Sequence, residues 1–185
     1  AMKIIFAQGN PGSEFRDTRH NVGFRVLDAY SAAQNVSWAE KTKFHAYIGE
    51  FSSADEKVLL VKPTTYYNET GIAARALIDF YKLESVDVLV IHDDMALPLG
   101  TVRTREKGSD AGNNGIKSLN SHIGPDYKRV RIGVWTDLAS RMEATAFVLG
   151  KFTGDEQQIL TDLQQVVTTI LDEFVTNKFQ STSYS

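Results

Sequence analysis

Short runs of continuous apolar residues that stop abruptly in polar loops constrain this chain more than any other feature. Lys3 to Ala7 reads Lys-Ile-Ile-Phe-Ala and ends at Gly9-Asn10-Pro11-Gly12; Val58-Leu59-Leu60-Val61 is closed by Pro63; Val86 to Ile91 runs straight into His92-Asp93-Asp94. Apolar runs without strict alternation suit strands covered on both faces, which requires helices above and below a parallel sheet. Charge at the end of such a run is costly unless the strand has reached a cleft or the surface.

The intervening segments supply the covering layers. After Asn21, the positions Val22, Val26, Leu27, Tyr30 and Ala33 share one helical face. Phe44 to Phe51 alternates as a strand, with a turn at Asp55-Glu56-Lys57 before the next run. The loop from Pro63 to Gly71 precedes a helix whose inward stripe reads as Ile72, Ala76, Leu77 and Phe80, with Asn68 or Thr70 available as cap. Thr101 to Arg105 reads as a short strand with Arg103 and Arg105 on one face. Gly108 to Gly115 is a Gly-rich loop opening a helix through about His122, and Arg129 to Val134 is a further strand. Thr153-Gly-Asp-Glu156 fits a capping box ahead of a long helix with a stripe of Ile159, Leu163, Val166, Ile170 and Phe174. The tail from Gln180 to Ser185 has little to bury and is expected to fray, and Ala1 ahead of Met2 reads as an added residue. No linker or repeat divides residues 1–185. The fold class expected is a single-domain three-layer α/β/α arrangement with a mostly parallel mixed central sheet, whose ligand crevice lies outside the carboxyl ends of the strands. Asn10, Asn68 and Asp93 would meet there.

Composition narrows the chemistry. The 185 residues include no cysteine, which excludes disulfides and thiol catalysis, and the 4 histidines have no zinc-type spacing. Neither a membrane-length apolar run nor a secretory signal pattern is present, so a soluble cytoplasmic protein is expected. A formal net charge of −3 argues against an indiscriminately basic coat, leaving room for a local cationic face. The cations Arg103, Arg105, Lys107, Lys117, Lys128, Arg129, Arg131, Arg141 and Lys151 gather in the second half. Solvated strand and helix charge is the plain reading of each. A phosphate backbone is the partner such a face would select.

Four separated segments carry polar side chains to the expected crevice: Asn10 to His20, Asn68, Asp93, and Gly112-Asn113-Asn114-Gly115. Gly9-Asn-Pro-Gly12, Thr18-Arg-His-Asn21, Pro63-Thr-Thr with Asn68 and Gly71, and His92-Asp-Asp occur in order. Leu97-Pro, Gly100, Arg103 and Arg105, Gly108-Ser, Gly112, Asn114-Gly-Ile-Lys-Ser118 and Arg131-Ile-Gly133 follow. In these motifs the chain resembles the bacterial peptidyl-tRNA hydrolase family over nearly its whole length. The resemblance implies hydrolysis of the ester joining a peptide's carboxyl to the ribose of the 3′-terminal adenosine of tRNA, with no metal or organic cofactor. It further implies peptidyl-tRNA as partner, neither DNA nor membrane, and a monomer.

That chemistry gives each residue an expected role. His20 accepts a proton from water, and Asp93 fixes its tautomer and stabilises the imidazolium. Asn10 positions water, His20 or the terminal nucleotide. An amide of Asn68 or Asn114 binds the substrate carbonyl or the oxygen that becomes negative. Tyr67, Asn113 and Gly112 adjoin them as substrate-binding positions. By the resemblance, Arg103, Arg105, Lys117 and Arg131 match the surface that holds the acceptor stem and its 5′ phosphate. The chain departs from the family pattern at Tyr67, usually Met; at Asn113, usually His; at Ala7-Gln8, usually Gly-Leu; and at Val134 to Asp137, usually Gly-rich with Pro. Two other readings stand beside the hydrolase: a divergent module that binds tRNA or another ligand with weak turnover, and an esterase or amidase for a small acylated molecule. A dinucleotide site is disfavoured, since Gly9-Asn-Pro-Gly12 lacks the G-x-G-x-x-G spacing.

Overall fold

In the computed structural model, which describes residues 1–53 and 55–185, the apolar runs become the middle of one sheet. Its strands are β1 (Met2–Ala7), β2 (Ala39–Lys41), β3 (Ala46–Ser53), β4 (Glu56–Pro63), β5 (Val88–Pro98), β6 (Val102–Arg105), β7 (Lys128–Trp135) and β8 (Ser183–Tyr184). The spatial order is β2-β3-β4-β1-β5-β7-β6-β8. The four central strands run parallel, with Phe6 opposite Val61 and Ala7 opposite Ile91, and the outer pairs are antiparallel. The helices are α1 (Val22–Ala33), α2 (Gly71–Tyr81), α3 (Asn114–Ile123), α4 (Ala144–Leu149) and α5 (Gly154–Val175).

Two cores lie on opposite faces of the sheet. On one, α1 and α5 bury Leu27, Tyr30, Val167 and Leu171 among Ile5, Leu60, Leu89 and Val130. On the other, Leu77 of α2 and Ile116 and Leu119 of α3 join Phe6, Val61 and Val90. Strand alternation has a consequence at the β6–β7 end: with Val102, Val130 and Ile132 in the first core, Arg103, Arg105, Arg129 and Arg131 project to the other face. Arg103 stands opposite Arg131, and Arg105 opposite Arg129.

Close helix–sheet approach sets the crevice. A Cβ on Gly23 would lie 2.8 Å from the carbonyl oxygens of both Gln8 and Ile91, so the first turn of α1 rests on the ends of β1 and β5. The residues just before that turn are thereby carried over the carboxyl edge of the sheet.

Several local expectations change. The inward side of α2 is Gly71, Ala73, Ala74, Leu77 and Ile78, whereas Ile72 and Phe80 are exposed, because small residues let α2 approach α3 closely. Its first amide is not capped by Asn68 or Thr70: Gly71 N donates to Ser118 Oγ of α3 at 3.0 Å. The capping box of α5 forms as expected, yet its buried side is Leu160, Val167, Ile170, Leu171, Phe174 and Val175, with Ile159 exposed. Apolar residues occupy adjacent positions along this helix, and packing selects between two phases. Strand β3 begins at Ala46 because His45 takes a left-handed backbone, φ 53°. The tail, expected to fray, is laid along β6 in the structure. Ser183 and Tyr184 pair with Arg103 and Val102, while Thr104 Oγ1 donates to Gln180 O at 2.7 Å and accepts from Thr182 N at 2.9 Å. What the tail offers is backbone, which the open edge of β6 accepts.

Lys3 ties β1 to the long helix. It is 8% exposed, and its Nζ donates to Phe174 O at 2.8 Å, to Val175 O at 3.2 Å and to Asn177 Oδ1. A cation there meets the last-turn carbonyls and the negative end of the α5 dipole. Lys3→Met removes these donors and is expected to lower unfolding free energy by about 1.5–3 kcal/mol. A urea midpoint equal to that of the unsubstituted chain would refute this.

Candidate active site

The edge where β1, β4 and β5 end is the floor of a cleft of about 890 Å³, walled by the loops after β1 and β4, the 105–114 segment and α4. Asn10, His20, Tyr67, Asn68, Asp93, Gly112, Asn113 and Asn114 all line it. Four distant segments thus meet as their polarity suggested.

Its centre is a carboxylate. Asp93, 2% exposed, lies one residue past His92 on β5. His20 Nδ1 donates to Asp93 Oδ2 at 2.8 Å, and the Tyr67 hydroxyl donates to Asp93 Oδ1 at 2.5 Å. Both oxygens of a buried anion are therefore satisfied, as burial demands. With Nδ1 donating, His20 carries its free lone pair on Nε2, which has no partner among the described residues. The Tyr67 ring lies flat on the imidazole, with centroids 3.6 Å apart and planes 11° from parallel. Burial, followed by the charge of Asp93, pushes the Tyr67 hydroxyl well above its ordinary pKa, so it remains a donor.

The loops that carry these groups are braced from within. Asn10 N donates to Asn21 Oδ1 at 2.8 Å while Asn21 Nδ2 donates to Asn10 O at 2.9 Å, a reciprocal pair across the turn. Asn10 Oδ1 accepts from the Tyr67 backbone N–H at 2.7 Å, which fixes the amide's orientation and leaves Nδ2 as its free donor end. Arg19, 2% exposed, lays its guanidinium 4.2 Å from the Phe147 ring centroid, donates to Phe147 O at 3.1 Å and pairs with Glu156 at 3.3 Å. It fastens the His20 segment to α4 and to the start of α5. Neither Asn21 nor Arg19 announces this in sequence, since their partners lie across the fold.

Asn68 and Asn114 are exposed on the cleft wall, and Asn113 donates from Nδ2 to the Tyr67 hydroxyl oxygen at 2.9 Å while its Oδ1 caps α3 at Ile116 N, 3.0 Å. His92 is buried beside the cleft with Nδ1 on the Asp93 carbonyl at 2.8 Å; burial lowers its pKa, and Nε2 lacks a partner among the described residues. Among the described residues no three His, Asp or Glu side chains converge as a metal-ligand set.

The cationic residues separate into kinds. Arg105 and Arg131 reach the cleft wall with Lys107; Arg131 pairs with Asp94 at 2.6 Å. Arg103 lies outside the cleft and donates to Ser183 Oγ at 2.9 Å, and Lys117 is exposed on α3. Arg129 is 3% exposed, donating to Ser109 O at 2.9 Å and to Gly108 O, so its task is to hold the Gly-rich loop. It does not add to an open cationic face.

Gly115 allows the stack to form: a Cβ there would lie 2.4 Å from both Gln8 Nε2 and Tyr67 Cε1. Gly115→Ala is expected to displace Tyr67 and cost about 1–3 kcal/mol. A lowered thermal midpoint together with shifted His20 imidazole resonances would verify both effects, and unchanged resonances would show that the ring had not moved.

Comparison with known proteins comes to the same place. The sequence profile of the family described as peptidyl-tRNA hydrolase matches residues 4–185. The peptidyl-tRNA hydrolase of Lactiplantibacillus plantarum is 41% identical over 177 residues, covering 95% of this chain and 94% of that protein. The one from Synechocystis is 45% identical over 159 residues, covering 85% and 81%. Among solved structures, peptidyl-tRNA hydrolase from Acinetobacter baumannii superposes with a TM-score of 0.89 at 28% identity, covering 96% of this chain and 90% of that one. The motif and cleft residues named above lie within residues 4–185, the span the family profile matches, and the chain belongs to the peptidyl-tRNA hydrolase family.

Proposed function

We propose that this chain, a member of a family of ester hydrolases, cleaves peptidyl-tRNA at the ester between the peptide carboxyl and the terminal ribose, with His20 as general base. The observation that carries the reading is the His20 Nδ1 to Asp93 contact of 2.8 Å, made by a buried carboxylate at the floor of a cleft that His20 itself lines. The contact selects the tautomer whose Nε2 can accept a proton from water. Water then bonds to the ester carbon, its proton passes to Nε2, and Asp93 stabilises the resulting imidazolium. As the ester bond breaks, the proton is returned to the ribose oxygen, leaving free peptide and free tRNA.

The amides complete the site. Asn10, held by Tyr67 N and Asn21, presents Nδ2 to the water or the terminal nucleotide. Asn68 and Asn114 offer donors to the carbonyl oxygen as it becomes negative, a contribution on the order of 10²–10³ in rate for a well-placed donor. Tyr67, Asn113 and Gly112 bound the same space. Arg105 and Arg131 on the cleft wall, with Arg103 and Lys117 beyond it, form the surface for the acceptor stem and its phosphate. The arginine row beside the cleft favours a tRNA ester over a small acylated molecule, which would gain nothing from it. A monomer working in the cytoplasm fits this reading; among the described residues no helix is long and apolar enough to cross a membrane.

Release of tRNA from an N-blocked aminoacyl-tRNA tests the assignment. His20→Ala is expected to lower kcat by about 10³ or more. Arg105→Gln is expected to raise KM and to reduce the slope of log affinity against log salt by roughly one. Hydrolysis by His20→Ala at the unsubstituted rate would overturn the mechanism. Binding of tRNA without turnover would identify the divergent binding module.

A further inference from the structure

We propose that Asn113 and Tyr67 act as one positioning relay for the His20–Asp93 pair, joining the cleft's Gly-rich loop to the basicity of His20. The inference rests on the reading of His20 as general base. Its geometry is a one-directional chain of donors: Asn113 Nδ2 to Tyr67 Oη at 2.9 Å, then Tyr67 Oη to Asp93 Oδ1 at 2.5 Å. The other carboxylate oxygen receives His20 Nδ1 at 2.8 Å. Such chains polarise one another, so the Asn113 amide makes the phenol a better donor to Asp93.

The two donors on Asp93 compete for one negative charge. The hydrogen bond from Tyr67 and the one from His20 fall on the same carboxylate, so each donor lessens what the charge can give the other. The ring does a second job: stacked 3.6 Å from the imidazole, it fixes the plane in which Nε2 meets the cleft. A Met side chain at position 67 can fill the space but has no proton to give Asp93. Likewise a change at Asn113 removes the donor that orients the phenol. Positions 67 and 113 are thus in contact, and changes at them are linked.

Asn113 also gives the relay a handle on substrate. It ends the loop that begins near Gly108, where Arg129 holds the Gly108 and Ser109 carbonyls, Asp110 Oδ1 accepts from Gly112 N at 2.9 Å, and Ala111 and Gly112 take positive φ of 49° and 82°. A peptide that moves this loop moves the Nδ2 donor with it. Arg105, Lys107 and the Tyr66 hydroxyl also line the cleft and face the pair across it, and the other ionisable groups around the pair are committed elsewhere. Asp94 is paired with Arg131, His92 is bonded to the Asp93 carbonyl, Arg129 is tied to the loop, Asp110 is turned to Gly112 and Arg19 is held by Glu156.

The test uses Tyr67→Phe, which keeps the stacked ring, and Asn113→Ser, which keeps a capping oxygen for α3 but is too short to reach the phenol. His20 is titrated by NMR of its imidazole, and the acid limb of kcat/KM is measured in parallel. Tyr67→Phe is expected to raise the His20 midpoint by about half a unit to one unit, and Asn113→Ser to raise it by less. The double variant is expected to match Tyr67→Phe, because Asn113 acts only through the phenol. No shift or a downward shift in Tyr67→Phe, or effects that add in the double variant, would overturn the relay. Should Tyr67→Phe not fold, the sign of the Asn113→Ser shift decides alone. The NMR titration reads the relay whether or not the chain turns over substrate, so its failure is distinct from failure of the hydrolase reading, which His20→Ala reports.

Discussion

A carboxylate buried at the end of a parallel strand is tolerated only where each of its oxygens has a donor, and Asp93 organises the cleft through that demand. At 2% exposure it has no bulk water to fall back on. Its oxygens draw His20 from the loop after β1 and Tyr67 from the loop after β4 to a single point. Both loops leave strands that flank or neighbour β5, so the parallel order β4-β1-β5 is what brings the donors within reach. The polar end of the Val86 to Ile91 run is therefore the place where the sheet's order becomes chemistry.

The bracing around that point is mostly backbone. The Asn10 main-chain N and O both bond the Asn21 side-chain amide, Asn10 Oδ1 accepts from the Tyr67 backbone N–H, and Arg19 N donates to Gly150 O at 3.0 Å. Main-chain partners do not rotate away as side chains do, and a side chain held by them has one orientation to present. This explains how loops, the more mobile parts of most folds, can hold the His20–Asp93 geometry in one arrangement. Arg19 adds a connection between the His20 segment and the capping box of α5, since Glu156 serves both.

Much of this was legible from residue order. The apolar runs mark the central strands, their polar ends mark the cleft, and Asn10, His20, Asn68, Asp93 and Asn114 are found together at its wall. What residue order leaves open is choice among physically equivalent options. On α5 two adjacent apolar phases compete, and contact with the sheet selects Leu160 and Val167 over Ile159. The α2 stripe is displaced for a related reason, because close packing on α3 rewards Ala73 and Ala74 above the larger Ile72 and Phe80. The tail reads as frayed since its side chains bury little, yet its value lies in main-chain groups that close the edge of β6. Arg129 reads as surface charge, but its guanidinium is consumed by loop carbonyls.

The same distinction between side-chain identity and placement explains how an acidic chain presents a cationic face. The net charge of −3 is an average over the whole molecule, whereas recognition of phosphate responds to charge within a Debye length. Core packing on the α1–α5 side requires Val102, Val130 and Ile132 to point one way, and strand alternation then sends Arg103, Arg105, Arg129 and Arg131 the other. Burial removes Arg129 from that row, and Asp94 pairs with Arg131, so the unpaired charge of the row lies at Arg103 and Arg105 with Lys107 beside them among the described residues. The row is thus a by-product of the hydrophobic pattern that builds the opposite core, and its position next to His20 follows from β7 pairing with β5 along Asp93 and Ile132.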